Sequence, residues 1–363
     1  MKPQNFDFEK IQKNIKKKNQ QKNLLLVTIA AFLTLGLFWS VPKILNQFFY
    51  NPTSKNAYLA NNQYLFNRQI YNELTLPSYE MSDLTIDKTG IGTYQIKETY
   101  SPKYSNKVVG FRGLEIKRNK CHYDNNFYSI SPIFNQEVAS ASQFHPDKIA
   151  SADSNLSKSN LLENIKPLPK STYVTVDLAF KEDKSISDYS DWLNVTTTGA
   201  ETLWQAVRPP QKAVDKNEAP MVVGYAPSVS FSGISVAITN EKKLNQDFPL
   251  LIGSLVDDKQ NNWSEEKRQT THFKSILNYL IENEIFLAQD THLLQKPTLK
   301  NILQEVEKNG IKIYGTTLRL PAFELEKILQ NEAIKSAYIT EVDVFPLTSQ
   351  SAQLPGVHYP AEK

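Results

Sequence analysis

Residues 311–342 read IKIYGTTLRLPAFELEKILQNEAIKSAYITEV and carry the clearest structural pattern in the chain. The beginning is rich in β-branched and aromatic residues like a strand, the middle is spaced like a helix, and the end returns to a strand pattern. Pro321 fits the first turn of this helix, and Gly310 fits the end of a helix before the first strand. The stretch therefore predicts a strand–helix–strand unit.

The same order of elements occurs earlier in the chain. Residues 173–180, YVTVDLAF, alternate like a strand, a helical stretch follows at 184–193, and an apolar segment lies around 202–208. Two such units predict a ferredoxin-like split βαβ layout of the α+β class, at residues 166–348, followed by a flexible tail at 349–363. Between the units the sequence predicts a strand pair at 221–239 and amphipathic helices near 264–283 and 297–309.

Residues 43–165 are predicted to form a β-rich extracytoplasmic module with a linker. Short segments such as 91–100 and 108–118 are rich in β-branched and aromatic residues and are interrupted by Gly and Pro. From about 131 to 170 the chain turns to Ser, Asn, Ala and Lys, which is typical of a linker. A domain boundary is therefore expected near residue 165.

One apolar run stands near the start of the chain. Residues 24–41, LLLVTIAAFLTLGLFWSV, carry no charge, and a helix of that length rises about 27 Å, close to the thickness of a bilayer's hydrocarbon core. The run is apolar on every face, unlike an amphipathic core helix. It predicts one N-terminal transmembrane helix at 23–42. The residues taken to represent this anchor are Leu24, Ile29, Phe32, Leu37 and Trp39.

The charges beside the run predict its orientation. Residues 1–22 contain seven lysines against Asp7 and Glu9, so the positive-inside rule places this basic segment in the cytoplasm. No small-x-small cleavage pattern follows the run, which favours an uncleaved anchor. The expected location is the cell membrane, with a single pass, a cytoplasmic N-terminus and an extracellular C-terminal domain.

The cytoplasmic segment has an amphipathic pattern. Phe8, Ile11 and Ile15 fall on one helical face. Two interpretations stay open: a helix that lies on anionic membrane lipid, or a short docking helix for a cytoplasmic protein. The candidate interaction residues are Phe8, Ile11, Ile15, Lys16, Lys17 and Lys18.

The residues that carry chemistry form no known motif. The five histidines have no metal-ligand spacing, and no Gly-x-Ser-x-Gly or phosphate-binding loop occurs. We therefore predict no catalytic residue, no metal and no cofactor. The basic segment contributes +5 to a net charge of +3, so the remaining chain is near −2 and gives no support for nucleic acid as a partner. Cys121 is the only cysteine, which excludes an intramolecular disulfide.

Several of these segments resemble a known family. Residues 306–315 and 334–342, with 173–180 and 201–207 upstream, resemble the C-terminal domain of the Firmicutes sigma-factor regulator family, which includes membrane-bound anti-sigma factors. The basic segment, the anchor and residues 67–118 resemble its N-terminal partner domain. The family-motif residues with an expected structural role are Trp204, Gly310, Tyr314 and Gly315.

The resemblance implies an anti-sigma-like regulator of an extracytoplasmic-function sigma factor, with no enzymatic activity. Its outer domain would sense an unknown envelope ligand, and its partners would be membrane lipid and a sigma factor or another membrane regulator. The basic segment is short for wrapping a sigma factor, which leaves regulation together with a second membrane protein open.

Two other classes of function stay open. One is a cell-surface binding or structural module that is anchored without signalling. The other is an extracellular hydrolase, which requires a pocket that brings His292 or His272 beside Ser, Asp or Glu.

Overall fold

The computed structural model describes residues 8–77, 79–102, 110–123, 158–210, 222–228, 237–255, 260 and 262–343. Within these residues the chain is a mixed α+β protein with two antiparallel sheets, one of four strands and one of five. The predicted α+β class is therefore confirmed. The predicted tail at 349–363 and most of the predicted linker lie outside the described residues.

The N-terminal part consists of two helices and the four-stranded sheet. The sheet is an antiparallel meander in the order β1-β2-β3-β4. Its inner face is apolar, with Ile96, Leu114 and Ile116 buried, so it has the one-sided burial typical of an antiparallel sheet. The elements are α1 Phe8–Gln47, α2 Gln63–Thr75, β1 Tyr79–Gly90, β2 Thr93–Pro102, β3 Gly110–Lys117 and β4 Lys120–Tyr123.

Helix α2 was not expected from the sequence. Phe66, Ile70 and Leu74 follow the i, i+4, i+8 spacing of a helix face and are fully buried. Asn67 and Arg68 are also buried, although polar side chains of a surface helix are usually exposed to solvent. These buried polar residues hide the amphipathic pattern.

The C-terminal part contains the five-stranded sheet in the order β7-β6-β8-β5-β9, with every neighbouring pair antiparallel. The strands of each predicted strand–helix–strand unit are separated by one strand of the other unit, which is the split βαβ layout. The elements are α3 Lys158–Ile165, β5 Tyr173–Lys184, α4 Ile186–Thr196, β6 Glu201–Val207, β7 Val223–Tyr225, α5 Glu241–Asp247, α6 Glu265–Glu282, α7 Glu284–Gln289, α8 Lys296–Asn309, β8 Ile313–Pro321, α9 Ala322–Gln330 and β9 Ile334–Asp343.

Two details differ from the sequence predictions. Pro321 ends β8 and is the residue before α9, rather than lying in the first helical turn. Of the strand pair predicted at 221–239, the structure shows β7, which pairs with β6, while residues 229–236 lie outside the described part. The two amphipathic helices are confirmed as α6 and α8, and Gly310 ends α8 with φ 71°.

One hydrophobic cluster joins the N-terminal and C-terminal parts. Phe66 of α2 packs edge-on against Tyr279 of α6, with ring centroids 5.2 Å apart. The same cluster includes Val176 and Leu318 of the five-stranded sheet and Ile96 of the four-stranded sheet. Helix α2 therefore packs in the same core as both sheets. The domain boundary expected near residue 165 stays a prediction.

Candidate functional site

The C-terminal end of α1 is attached to two hairpin turns of the four-stranded sheet. The ring of Phe49 lies against Gly92, the turn between β1 and β2. The backbone N–H of Tyr50 donates to Asn119 Oδ1 at 2.7 Å, in the turn between β3 and β4. The N–H of Arg118 donates to the carbonyl of Gly92 at 2.8 Å and links the two turns. We call this contact the α1 junction.

Local backbone geometry explains why the turns can meet here. Arg118 and Asn119 have φ 48° and 68°, which is the left-handed pair that a two-residue type I′ hairpin requires. Gly92 has φ 62°, a conformation that glycine adopts without steric cost. Both hairpins are therefore tight, and their turns lie at the same end of the sheet beside Phe49.

The chain after the α1 junction continues directly into the C-terminal domain. Leu59 forms an isolated antiparallel bridge with Ile238, and the N–H of Ala60 donates to the carbonyl of Ala237 at 3.0 Å. The hydroxyl of Tyr58 donates to Asp247 Oδ2 at 2.9 Å. This part of the chain is therefore packed against the C-terminal domain.

A buried ion pair connects α2 to the four-stranded sheet. Arg68 Nε lies 3.1 Å from Glu98 Oε1, and both side chains are almost completely shielded from solvent. The hydroxyls of Tyr64 and Tyr100 donate to the two carboxylate oxygens of Glu98 at 2.6 and 2.7 Å. Burial raises the pKa of Glu98, but Arg68, Arg112 and the two hydroxyls outweigh it and hold the pKa below its ordinary value. Glu98 is thus a buried carboxylate with its charge compensated.

Helix α2 is also connected to the C-terminal domain through Glu73. His272 Nε2 lies 2.6 Å from Glu73 Oε1, and His272 Nδ1 lies 2.7 Å from the carbonyl oxygen of Leu250. The indole N–H of Trp204 donates to the backbone carbonyl of Glu73 at 2.7 Å. One helix therefore bonds to the four-stranded sheet at its middle and to the C-terminal domain at its end.

The polar face of the five-stranded sheet contains a buried carboxyl. Asp177 of β5 accepts a hydrogen bond from the Thr317 hydroxyl of the neighbouring strand at 2.6 Å. Burial raises the pKa of Asp177 to about 7, and the hydrogen bond opposes this only in part. Tyr79, the first residue of β1, lies close enough that Asp177 and Glu341 raise its own pKa in addition to burial. The start of the four-stranded sheet therefore lies over this carboxyl.

The five residues predicted to represent the anchor all lie in α1, a helix of 40 residues. Leu24 and Phe32 are 69% and 72% exposed, and Ile29 is exposed too. The side chains of Leu37 and Trp39 are outside the description. A search of the described residues finds no helix long and apolar enough to cross a membrane.

The candidate cytoplasmic residues lie in the first turns of α1. Ile15 is 55% exposed, and Lys16, Lys17 and Lys18 are exposed around it. The side chains of Phe8 and Ile11 are not described, so the apolar face expected from all three residues stays a prediction.

The family-motif residues lie at buried or special backbone positions. Tyr314 is buried beneath the guanidinium of Arg208, whose carbon is 4.2 Å from the ring centroid. Trp204 is buried with its indole bonded to α2. Gly315 pairs with Ala179 and with Ala206 in the centre of the sheet. These positions fit a structural role, in which the residues shape the sheet.

The histidines considered for catalysis are placed differently. His272 is fully buried and has both ring nitrogens bonded within the fold. The backbone N–H of His292 donates to Asp290 Oδ1 at 3.0 Å. Among the described residues no three His, Cys, Asp or Glu side chains are grouped as a metal site would need. The pair of Glu73 and His272 therefore serves the packing of α2.

Sequence reasoning missed the residues that join the parts of the fold. Arg68 and Glu98 are 30 positions apart, and Glu73 and His272 are 199 apart, so no local pattern connects them. One signal was present: an arginine inside the apolar spacing of Phe66, Ile70 and Leu74 indicates a buried partner of opposite charge.

The comparisons with known proteins concern mainly the C-terminal part of the chain. The C-terminal α+β domain is of the regulator class: residues 165–341 match the family model described as sigma factor regulator C-terminal. The matched region is just under half of the chain, and it supports the sigma-factor regulator family predicted from the residues.

One curated relative extends the comparison. The chain is 30% identical over 79 residues to the probable anti-sigma-M factor YhdL of Bacillus subtilis (strain 168). The match covers 22% of this chain and 22% of that protein, so it spans about a fifth of the relative's length. No solved structure matches the chain.

Proposed function

We propose that the protein is a membrane-anchored regulator of an extracytoplasmic-function sigma factor, without enzymatic activity, whose outer part responds to a component of the cell envelope. The observation that carries the proposal is the match of residues 165–341 to the sigma factor regulator C-terminal family. The relative named as a probable anti-sigma-M factor supports a sigma factor as the class of partner.

The proposed anchoring rests on the sequence of α1 and goes beyond the structure, in whose described residues no helix is long and apolar enough to cross a membrane. Helix α1, of 40 residues, is about 60 Å long, and its middle, residues 24–41, carries no charged side chain. Its described apolar side chains, such as Leu24 and Phe32, are turned to the surroundings rather than to a core. In water, an apolar surface of this extent is unfavourable, and a bilayer removes that cost. The lysines before residue 23 favour a cytoplasmic N-terminus.

The outer part is proposed to influence the inner segment through the α1 junction. Phe49 and Tyr50 attach the helix to both hairpin turns without a free linker between them. From there the chain bonds directly to the C-terminal domain at Leu59 and Ala60. A displacement of the outer sheets therefore moves the end of α1, and a helix transmits such a displacement along its length.

The inner segment is proposed to contact the sigma factor or a second membrane regulator that holds it. Ile15 presents an apolar side chain among exposed lysines, which suits a short docking helix. The same composition suits a helix lying on anionic lipid, and then the contact with the regulatory machinery would be made elsewhere.

A transcription assay tests this proposal. In the native host, a reporter driven by promoters of each extracytoplasmic-function sigma factor is measured with the intact chain, with residues 2–20 deleted, and with Ile15→Glu. A regulator changes one reporter, and both alterations abolish the change. The control is Lys242→Glu, an exposed residue of α5 in the C-terminal part, which keeps the effect. If the protein changes the activity of none of the reporters, it is a surface binding or structural module instead.

A further inference from the structure

The α1 junction places a basic and partly apolar surface beside the end of the helix. The turn β1–β2 presents Ile91, 38% exposed, next to the glycine that contacts Phe49. Phe48, the residue before Phe49, is 73% exposed. Four exposed cations lie at the same end of the sheet as the two turns. They are Lys88, Lys117, Arg118 and Lys120.

The charge is concentrated at this end. Near the turns, Asp87 is the exposed acidic neighbour of the four cations. Farther along the outward face of the same sheet, Asp83 and Thr85 of β1 lie opposite Thr99 and Lys97 of β2, which is an ordinary mixed polar surface. The turn end therefore combines an aromatic ring and an aliphatic side chain with four cations, whereas the exposed Phe111 farther along the face lies among side chains of both charges.

We propose that this turn surface, formed by Phe48, Lys88, Ile91, Lys117, Arg118 and Lys120, rests on the outer face of the membrane and binds anionic lipid headgroups. The inference rests on the proposed anchoring of α1, since the helix brings the surface to that level. Aromatic rings settle at the boundary between hydrocarbon and headgroups, as Phe48 would, and clustered lysines and arginines attract anionic lipid.

The geometry limits how the surface can be oriented. Phe49 packs on Gly92 and Tyr50 bonds to Asn119, so both turns are held by residues two and three positions beyond the end of α1. The four-stranded sheet would consequently have its turns at the membrane surface and its strands directed away from the bilayer. Lipid composition would then affect the tilt of the sheet, and with it the helix to which the sheet is attached.

Depth-dependent quenching tests the proposal on the full chain. The chain is reconstituted into vesicles of phosphatidylcholine alone or with phosphatidylglycerol, in a Cys121→Ala background. A fluorescent probe is attached at Ile91→Cys, and the control probe is attached at Thr85→Cys, an exposed position about 20 Å farther along the same strand. Lipids with a nitroxide on the headgroup serve as quencher.

We expect the probe at residue 91 to be quenched at least twofold more strongly than the probe at residue 85, and only with the anionic lipid. Lys117→Glu together with Lys120→Glu should remove most of this difference while the melting temperature of the outer domain is kept. Equal quenching in both lipids, or equal quenching of both probes, would overturn the proposal.

A third probe separates this inference from the anchoring on which it rests. At Phe32→Cys the probe should be quenched by nitroxides in the middle of the bilayer in either lipid. If that quenching is present and residue 91 stays unquenched, the turn surface does not touch lipid although α1 is inserted. If the quenching at residue 32 is absent, the anchoring itself is wrong and this inference is wrong with it.

Discussion

The ring of Phe49 lies against the backbone of Gly92 in the space that a side chain at residue 92 would need. A Cβ there would be 2.5 Å from Phe49 Cδ2, and the φ of 62° is a conformation that L-residues rarely adopt. The contact joins the end of α1 to the turn of a hairpin. The end of α1 is therefore attached directly to the four-stranded sheet.

The Gly92→Ala change should weaken the α1 junction. Backbone strain and the displaced ring together should lower the free energy of unfolding by about 1–3 kcal/mol. Thermal melting of the full chain in detergent measures this. The matched control is Gly90→Ala in the same turn, where an added Cβ meets its nearest atom at 3.6 Å. Equal melting temperatures for the two variants would show that Phe49 and Gly92 contribute little to the fold.

Breaking the ion pair between Arg68 and Glu98 should have a larger effect. Arg68→Met leaves a buried carboxylate uncompensated, which should cost about 3–5 kcal/mol. The double variant Arg68→Met with Glu98→Leu should recover part of that loss because no lone charge remains buried. The control is Glu307→Gln, whose ion pair with Lys274 is exposed and should change stability by less than about 1 kcal/mol. A loss at Arg68 no greater than at Glu307 would contradict the buried geometry.

Asp177 should make the C-terminal domain less stable as the pH rises. Its pKa is about 7 when folded, against 3.8 as its ordinary value, so between these pH values the folded state holds more protons than the unfolded state. Stability from this group is therefore fully present below about pH 4 and is lost as the pH rises through 7. A shift of this size corresponds to about 4 kcal/mol.

Asp177→Asn tests that prediction, because an amide keeps the shape of the protonated acid without titrating. The variant should melt higher than the parent at pH 8, by a smaller margin at pH 5, and nearly equally only below about pH 4, where the acid is protonated in both states. Asp191→Asn, at an exposed position of α4, serves as control and should leave the pH profile unchanged. If Asp177→Asn retains the profile of the parent, another group produces the pH dependence.

Glu324 should fasten the loop between α4 and β6 to the start of α9. Its carboxylate accepts hydrogen bonds from the Thr197 hydroxyl and from the N–H groups of Thr198 and Gly199, at 3.2 and 3.1 Å for the two backbone donors. Burial raises its pKa, yet these donors outweigh it and lower the pKa overall. Glu324→Gln should therefore cost about 1–3 kcal/mol in a thermal melt. Glu332→Gln, at an exposed position, should cost almost nothing, and a similar loss at both sites would count against this contact.

Most of the C-terminal fold could be predicted from sequence because its pattern is local. Residues 173–180 alternate in polarity, and the observed strand Tyr173–Lys184 begins at the same residue. Gly310 ends α8 with a positive φ, as a glycine after a helix indicates. The order of strands followed because two strand–helix–strand units in one sheet leave few arrangements.

The centre of the molecule could not be predicted in this way. Helix α2 buries Asn67 and Arg68, whose partners Tyr279 and Glu98 are far away in the chain. A polar residue predicts exposure unless its partner is known, so the sequence suggested strands and turns where a buried helix lies. The α1 junction was not predicted for a similar reason, since Gly92 and Asn119 have the residue types of ordinary turns.

The most direct test of the account is a cross-linking purification of the full-length protein from its native membrane, with the chain lacking residues 2–20 as control. The account predicts that a sigma factor, or a membrane protein that itself holds one, is recovered with the intact chain and lost with the deletion. Recovery of envelope material alone, in equal amounts from both chains, would contradict it.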